Sequence, residues 1–525
     1  MSDDITKRMT LQELIHGVDV VEVKGPKDIA IQGVAYHSRS VQKGYLFVAV
    51  HGEESDGHLF LDEAVRQGAS AVVVSQPLRL RPDLSAVSQV VVRDSRDSLA
   101  RISAAFYGDP SRELTVVGIT GTNGKTTCSY LIESLLQAEG KSTAVIGTIT
   151  YRYEGKSVFA PMTTPESLDI QRMMSEMVRA RVTHLILEVS SHALSMKRAD
   201  GCHFDGALFT NLGRDHLDYH RTLEAYAQSK RRLFDVLLPV SAKKEKFQVI
   251  NQDDSIGRTI PDHEGVTTYR YGLTETPQGI GVQWMEMDES GIKAELSTPV
   301  GSLSVKSPLL GRHNLSNILG AIGVGCALGL SRDALREGIR RLEGVPGRLE
   351  KIRAGKPSKE RGAVFVDYAH TPDALENVLS TLHPLVKGRM ITLFGCGGDR
   401  DRGKRSEMGQ ASLRYSNLVI LTSDNPRTED PFGILEDIEK GMKGAQKIEK
   451  QKLWSWDTVK GPVYTVIPDR REAIRTAVEV SQAGDIVLLA GKGHEDYQIL
   501  GRKRVYFDDR EEARKALNPP LRGDL

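Results

Sequence analysis

A chain of 525 residues is too long for one hydrophobic core and predicts about three domains. Its charge is balanced, with 70 Lys plus Arg against 69 Asp plus Glu, so no general basic or acidic surface recruits nucleic acid or an anionic membrane. Cys128, Cys202, Cys326 and Cys396 are far apart without a Cys-x-x-Cys pair, which argues against a disulfide framework or structural zinc and for a reduced, cytoplasmic protein. The acidic start Met-Ser-Asp-Asp lacks an apolar h-region, and no run of about 18 uncharged apolar residues occurs, so neither export nor membrane spanning is expected.

The first hundred residues hold short strand-like runs at 45–50, 71–74 and 89–92 and a helix-like run at 59–66. They predict a small α/β domain over 1–109, closed by a helix near 97–107 and a turn-rich linker at 108–111. Polar loops at 37–40 and 52–57 lie next to these strands; by themselves they read as ordinary turns.

The most informative stretch follows, Gly118-Ile-Thr-Gly-Thr-Asn-Gly-Lys-Thr-Thr127. It lies between an apolar run and a helical pattern, so it reads as strand, Gly-rich turn and helix N-terminus, where backbone amides cradle phosphate. Lys125 reaches the terminal phosphates in such a loop, and Thr126 ligates Mg²⁺. The pattern is a variant, with Ile119 where glycine is usual and glycines at 118 and 121 instead. Strands and helices alternate over 110–345, implying a mainly parallel sheet with ligands at the carboxyl ends of its strands. Glu188 stands at one such end, either as a second Mg²⁺ ligand or as a solvated loop carboxylate. Asn211 to His216 stands at another. On the next helix Leu223, Tyr226, Leu233, Phe234 and Leu237 share a stripe with Lys230. A lysine there either snorkels out, the usual outcome, or meets an anion or a modification.

Gly311 to Asn317 opens a Gly/Ala/Leu-rich helix, and Leu342-Glu-Gly-Val-Pro-Gly-Arg348 breaks the pattern. A second doubly wound α/β domain is expected over 346–525, with strands near 364–366, 390–394, 418–421 and 486–489. Its strand ends carry Asp367-Tyr-Ala-His-Thr-Pro-Asp373, Gly395-Cys-Gly-Gly-Asp-Arg400, Ser423-Asp-Asn-Pro-Arg427 and Gly491-Lys-Gly-His-Glu495. Fold maintenance needs turns but not this density of charge. Arg400 and Arg427 suit bidentate carboxylate recognition, with Glu495 as an amine partner.

With these motifs assembled in order, from Thr120 through Glu495, the chain resembles the Mur ligase family nearly end to end. The resemblance implies an α/β, three-domain architecture: an N-terminal UDP-substrate domain, a central P-loop parallel-sheet ATPase domain, and a C-terminal Rossmann-like domain closing over the amino-acid substrate. It implies ATP-dependent joining of meso-diaminopimelate to UDP-N-acetylmuramoyl-L-alanyl-D-glutamate through an acyl phosphate, in peptidoglycan synthesis, by a monomer using ATP and Mg²⁺. The small-molecule substrates would be the partners. Position by position, Gly121, Thr122, Asn123, Gly124, Lys125, Thr126, Thr127, Asn314, Asn317 and Asp367 match nucleotide contacts. Arg348 matches a catalytic nucleotide contact. Tyr36, Ser38, Glu53, Glu54 and Ser55 match uridine-diphosphate contacts, and Thr163, Thr164, Ser190, Met196 and Arg198 match the rest of that substrate. His37 departs from the Asp common in relatives, and Met196 from a Gln. Lys230 matches the lysine that the family carbamylates, acting with Thr126, Glu188 and His216 around Mg²⁺. Arg400, Asp424, Asn425, Pro426, Arg427, Gly491 and Glu495 match the diaminopimelate site. The alternatives are the same chemistry with L-lysine as the amine, or a nucleotide-switched binding protein that ligates nothing.

Overall fold

The computed structural model describes residues 9–52, 55–76, 87–213, 215–274, 279–353 and 361–518. Two compact units emerge: most of the chain up to Trp284 with 295–304 and 316–339, and a second formed by 285–294, 305–315 and the chain from Arg340 onward.

The first unit contains two large sheets, besides a two-stranded pairing of Met9–Thr10 with Ala30–Ile31. The N-terminal one has five strands, β1 (Val20–Lys24), β2 (Gly33–Ala35), β3 (Tyr45–Val48), β4 (Ala69–Val74) and β5 (Ser88–Val92), in the order β1-β5-β4-β3-β2. Only β1 runs antiparallel to its neighbour. Its inner strands β3, β4 and β5 are buried on both faces, as a parallel sheet covered on both sides requires, while the edge strand β1 is largely exposed. Helix α1 (Ser95–Phe106) follows, capped by Asp94, whose carboxylate accepts the Arg96 and Asp97 amides.

The central sheet has eight strands. They are β6 (Thr115–Thr120), β7 (Thr143–Ile146), β8 (Thr150–Tyr153), β9 (Lys156–Phe159), β10 (His184–Glu188), β11 (Gly206–Phe209), β12 (Lys246–Asn251) and β13 (Val266–Tyr271). Their order is β9-β8-β7-β10-β6-β11-β12-β13. Strand β6 lies in the middle, parallel to β10 and β11, so the P-loop, Glu188 and the loop after Phe209 emerge side by side. Two helices matter for the site, α2 (Lys125–Ala138) and α3 (Leu223–Arg232). The hairpin β8–β9 interrupts the expected strand–helix alternation. Glu154 and Gly155 both have positive φ, so a two-residue turn matched to strand twist reverses the chain there. After α3 the chain continues as a π-helical turn, Leu233–Leu237, which shifts the helical register.

In the second unit a seven-stranded sheet contains β14 (Glu350–Ile352), β15 (Ala363–Asp367), β16 (Met390–Phe394), β17 (Leu418–Leu421), β18 (Val463–Val466) and β19 (Ile486–Ala490). The order is β14-β15-β19-β16-β17-β18 with the short Gln446–Lys447 at the edge, and β14 alone is antiparallel. Apolar clusters cover both faces, and the four polar loops predicted from sequence follow the ends of β15, β16, β17 and β19. No helix among the described residues is long and apolar enough to cross a membrane.

Candidate active site

The phosphate loop is short. Strand β6 continues through Ile119, which is fully buried, so the sequence's departure from the usual glycine falls within the strand and not in the loop. The turn itself runs over Gly121 and Gly124, at φ +149° and +86°. A side chain at Gly121 would collide with the Thr210 hydroxyl, and one at Gly124 with the Asn317 amide. The loop after β11 grips the turn from outside: Thr210 Oγ1 donates to Asn123 O at 2.6 Å, and the Asn123 amide donates to Asn211 Oδ1 at 2.9 Å. Thr122 Oγ1 accepts from the Gly213 amide and meets the Tyr226 hydroxyl at 3.1 Å. Thr127 is buried in the first turn of α2, next to Thr126.

Three hydroxyls converge on Glu188. Thr126, Thr148 and Ser129 donate to its carboxylate at 3.0, 2.8 and 3.1 Å, while Thr164 donates to its carbonyl at 2.7 Å. With 1% exposure Glu188 is not the solvated loop carboxylate that sequence left open. The expectation that Lys230 snorkels out is also overturned: it is 1% exposed, and its Nζ donates to Gly121 O at 2.7 Å and lies 4.5 Å from the Tyr226 ring centre. The reason is steric placement, since α3 lays Lys230 against the phosphate loop, whereas Leu223 on the same nominal stripe is 44% exposed. Lys125 donates to the same carbonyl at 2.8 Å and to Thr122 O at 2.9 Å. Burial, and then the Lys125 charge, hold the Lys230 ammonium well below its ordinary pKa. His216, held at φ +53°, has its pKa lowered by burial, with the Lys125 and Lys230 charges adding and Asp215 opposing.

Among the residues that the resemblance assigns to the nucleotide-sugar substrate, Tyr36 donates to Asp169 Oδ2 at 2.8 Å and Ser38 to Glu63 Oε2 at 2.8 Å. His37 explains its own departure: its Nδ1 accepts the Arg39 amide at 3.3 Å, taking the N-cap place that an Asp fills well. Glu53 and Glu54 lie outside the described residues, and Ser55 is exposed beside them. Thr163 meets Thr148 at 3.1 Å, and Ser190 caps the helix Ser191–Ser195. Arg198 donates to Glu166 at 2.9 Å and lies against the sulfurs of Met162 and Met196 at 3.3 and 3.2 Å. Nearby, His51, Asp56 and His58 cluster within reach of one ion. The Ser75 amide donates to His58 Nε2 at 3.0 Å, which puts the ring proton on Nδ1, where it faces Asp56 at 2.6 Å. That ring has no lone pair left for a metal, and its contacts tie His58 to Asp56 and Ser75 instead.

In the second unit, Asp367 accepts the Leu349 and Ala369 amides at 2.7 and 2.8 Å, and burial raises its pKa against the opposing Arg348 charge. Arg348 stacks over Tyr368 at 5.0 Å. His494, 4.9 Å from the same ring, is pushed down to a pKa of about 3 by burial and then by Arg348. Asn314 donates to Leu310 O at 2.8 Å. Arg427 has φ +52° and donates Nη1 to Gly398 O at 2.8 Å, while Arg400 is exposed on the neighbouring loop. Sequence reasoning passed over Lys492, which is fully buried. Its Nζ donates to Asp424, Asn425 and Glu495 at 3.1, 3.2 and 3.2 Å, and Asn425 donates to Glu495 at 2.9 Å. Gly491, at φ +110°, turns the chain into this knot, and Pro426 precedes Arg427 in the facing loop.

A phosphate loop on one parallel sheet, with a loop set rich in Arg, Asp and Glu at the strand ends of another, defines the class as a P-loop α/β enzyme. Family models match three stretches: the Mur ligase family catalytic domain over 30–107, the Mur ligase middle domain over 119–325, and the Mur ligase glutamate ligase domain over 347–493. The chain belongs to the Mur ligase family. It is 46% identical over 512 residues to the UDP-N-acetylmuramoyl-L-alanyl-D-glutamate--2,6-diaminopimelate ligase of Geobacter metallireducens, covering 97% of this chain and 98% of that one. The protein of the same name from Geobacter sulfurreducens is 46% identical over 509 residues, covering 96% and 98%. A solved structure of a ligase so named superposes with a TM-score of 0.69 at 35% identity, covering 97% of this chain and 99% of that one.

Proposed function

We propose that the protein is an ATP-dependent acid–amino-acid ligase that joins meso-2,6-diaminopimelate to UDP-N-acetylmuramoyl-L-alanyl-D-glutamate in peptidoglycan synthesis, as a cytoplasmic monomer. The observation that carries this reading is the buried Lys492–Asp424–Asn425–Glu495 knot beside Arg427, a site with both an anion and a cation for a distal amino-carboxyl centre. Near-full-length similarity to relatives bearing that activity in their names supports it.

A carboxylate is a poor acyl donor, so the D-glutamyl carboxylate attacks the γ-phosphate of ATP, releasing ADP and giving an acyl phosphate; the neutral diaminopimelate amine then attacks the acyl carbon, forming the amide as inorganic phosphate leaves and the amine loses a proton. Lys125 and the loop amides offset charge on the transferring phosphoryl group. Thr126 and Glu188, both hard oxygen donors, fit Mg²⁺. Bound there, the ion would neutralise phosphate charge. Lys230 is chemically suited to carbamylation, since its lowered pKa supplies the neutral amine that attacks CO₂. The product is an anion facing the Lys125 cation, an opposite-charge pair where an ammonium at Lys230 would make a like-charge one. Arg348 and Asp367 serve the nucleotide.

The test is phosphate release by purified protein with ATP, Mg²⁺ and the UDP-linked dipeptide, with and without diaminopimelate. Release that requires the amine supports the ligase. Release indifferent to every amino acid refutes it in favour of a nucleotide switch.

A further inference from the structure

We infer that Arg96 is a positioning residue for the nucleotide-sugar substrate, tying His51 to the turn that carries Arg198. The inference rests on the substrate reading above. Arg96, the second residue of α1, is 17% exposed at its side chain and holds three segments at once. Its Nε donates to His51 O at 2.8 Å; its Nη1 donates to Glu166 at 3.3 Å and to Met196 O at 3.4 Å. Glu166 accepts from Arg198 Nε at 2.9 Å, so one carboxylate is shared between the two guanidinium groups.

The same helix start grips the turn a second way. Asp94, the cap of α1, pairs with Lys197 Nζ at 2.8 Å. Lys197 sits at φ +56°, the left-handed position that ends the helix Ser191–Ser195, with the Arg198 amide donating to Ala193 O at 2.8 Å. Met196, Lys197 and Arg198 are thus clamped from α1 by one carbonyl contact, one ion pair and one shared carboxylate. A lone surface ion pair would hold one partner in one segment; this guanidinium spans residues far apart in sequence, and its planar fork is what makes the three contacts compatible.

Without Arg96, Glu166 is left with Arg198 alone. The pair tightens, the Arg198 guanidinium turns away from substrate, and the 196–198 turn relaxes. Arg96→Ala and Arg96→Lys are compared with wild type in the full chain, by steady-state kinetics for each substrate and by hydrogen exchange over residues 194–199. The expected result is a rise of about ten-fold or more in the KM for the UDP-linked dipeptide in Arg96→Ala. The KM for ATP should stay within about two-fold and kcat should change little. Exchange at 194–199 should accelerate, and the lysine variant should recover only part of the loss. Arg96→Ala combined with Arg198→Ala should lose less than the sum of the two single losses. Equal rises in every KM together with a lowered melting temperature, additive losses in the double variant, or unchanged exchange at the turn would overturn the inference. Absence of dipeptide turnover in wild type would count against the substrate reading alone, and the exchange measurement would still decide whether Arg96 holds the turn.

Discussion

Replacing Lys492 by methionine removes the only side-chain cation donating to the Asp424–Glu495 pair among the described hydrogen bonds. Both carboxylates touch one ammonium, at 3.1 and 3.2 Å, so they lie at most about 6 Å apart. At that spacing and an effective dielectric of about 20 their repulsion is roughly 3 kcal/mol. Breaking a buried pair by removing one partner costs about 3–5 kcal/mol, the same range. Protonation offers relief. Burial, and then the Asp424 charge, already raise the Glu495 pKa; burial also raises that of Asp424, but Lys492 and then Arg470 outweigh it and the net is lowered. In the variant the depressing charge is gone and the pair holds a proton to higher pH. A group whose folded pKa is raised contributes stability that is complete below its unfolded value, about 4.3 for Glu, and that is lost as pH rises through the folded value. Thermal unfolding of wild type and Lys492→Met between pH 5 and 8.5 should therefore show a deficit that grows with pH, while diaminopimelate KM rises and ATP KM does not. A deficit independent of pH, or one below about 1 kcal/mol, would refute the reasoning.

Lys125→Ala should abolish turnover while leaving the far-UV spectrum unchanged; retained activity would remove the phosphate-loop assignment. Arg427→Ala should raise the diaminopimelate KM far more than the ATP KM, by a factor of ten to a hundred for loss of roughly 1.5–3 kcal/mol of charge-assisted bonding; equal effects on both would remove its recognition role. His37→Asp should strengthen the cap of the Ser38–Ser40 turn by about 0.5–1 kcal/mol, read as slower exchange of the Arg39 amide, and faster exchange would show that the ring is the better cap.

Much of the site was legible because its chemistry is local. Glycines that turn a strand into a helix, and charged residues at strand ends, announce themselves within ten residues, so the loops at Gly121, Asp367, Arg427 and Gly491 fall where the pattern puts them. Lys230 was legible as an anomaly but not as an outcome, since helical spacing gives a face and not what covers it. The π-helical turn after it has no periodic signature. The Glu154-Gly155 hairpin offered only its glycine as a signal, because a glutamate held at positive φ has no mark in the sequence. Ser129 and Thr148 on Glu188, Arg96 on Glu166, and Lys492 on Asp424 were out of reach: their partners lie 40 to 70 residues away, and only the folded sheets bring them together.

The central claim is the identity of the amine. Purified protein given ATP, Mg²⁺, the UDP-linked dipeptide and equimolar meso-diaminopimelate and L-lysine should yield a product whose mass corresponds to diaminopimelate addition, with the lysine adduct scarce by ten-fold or more. A dominant lysine adduct would contradict the reading of Arg427 and its buried knot.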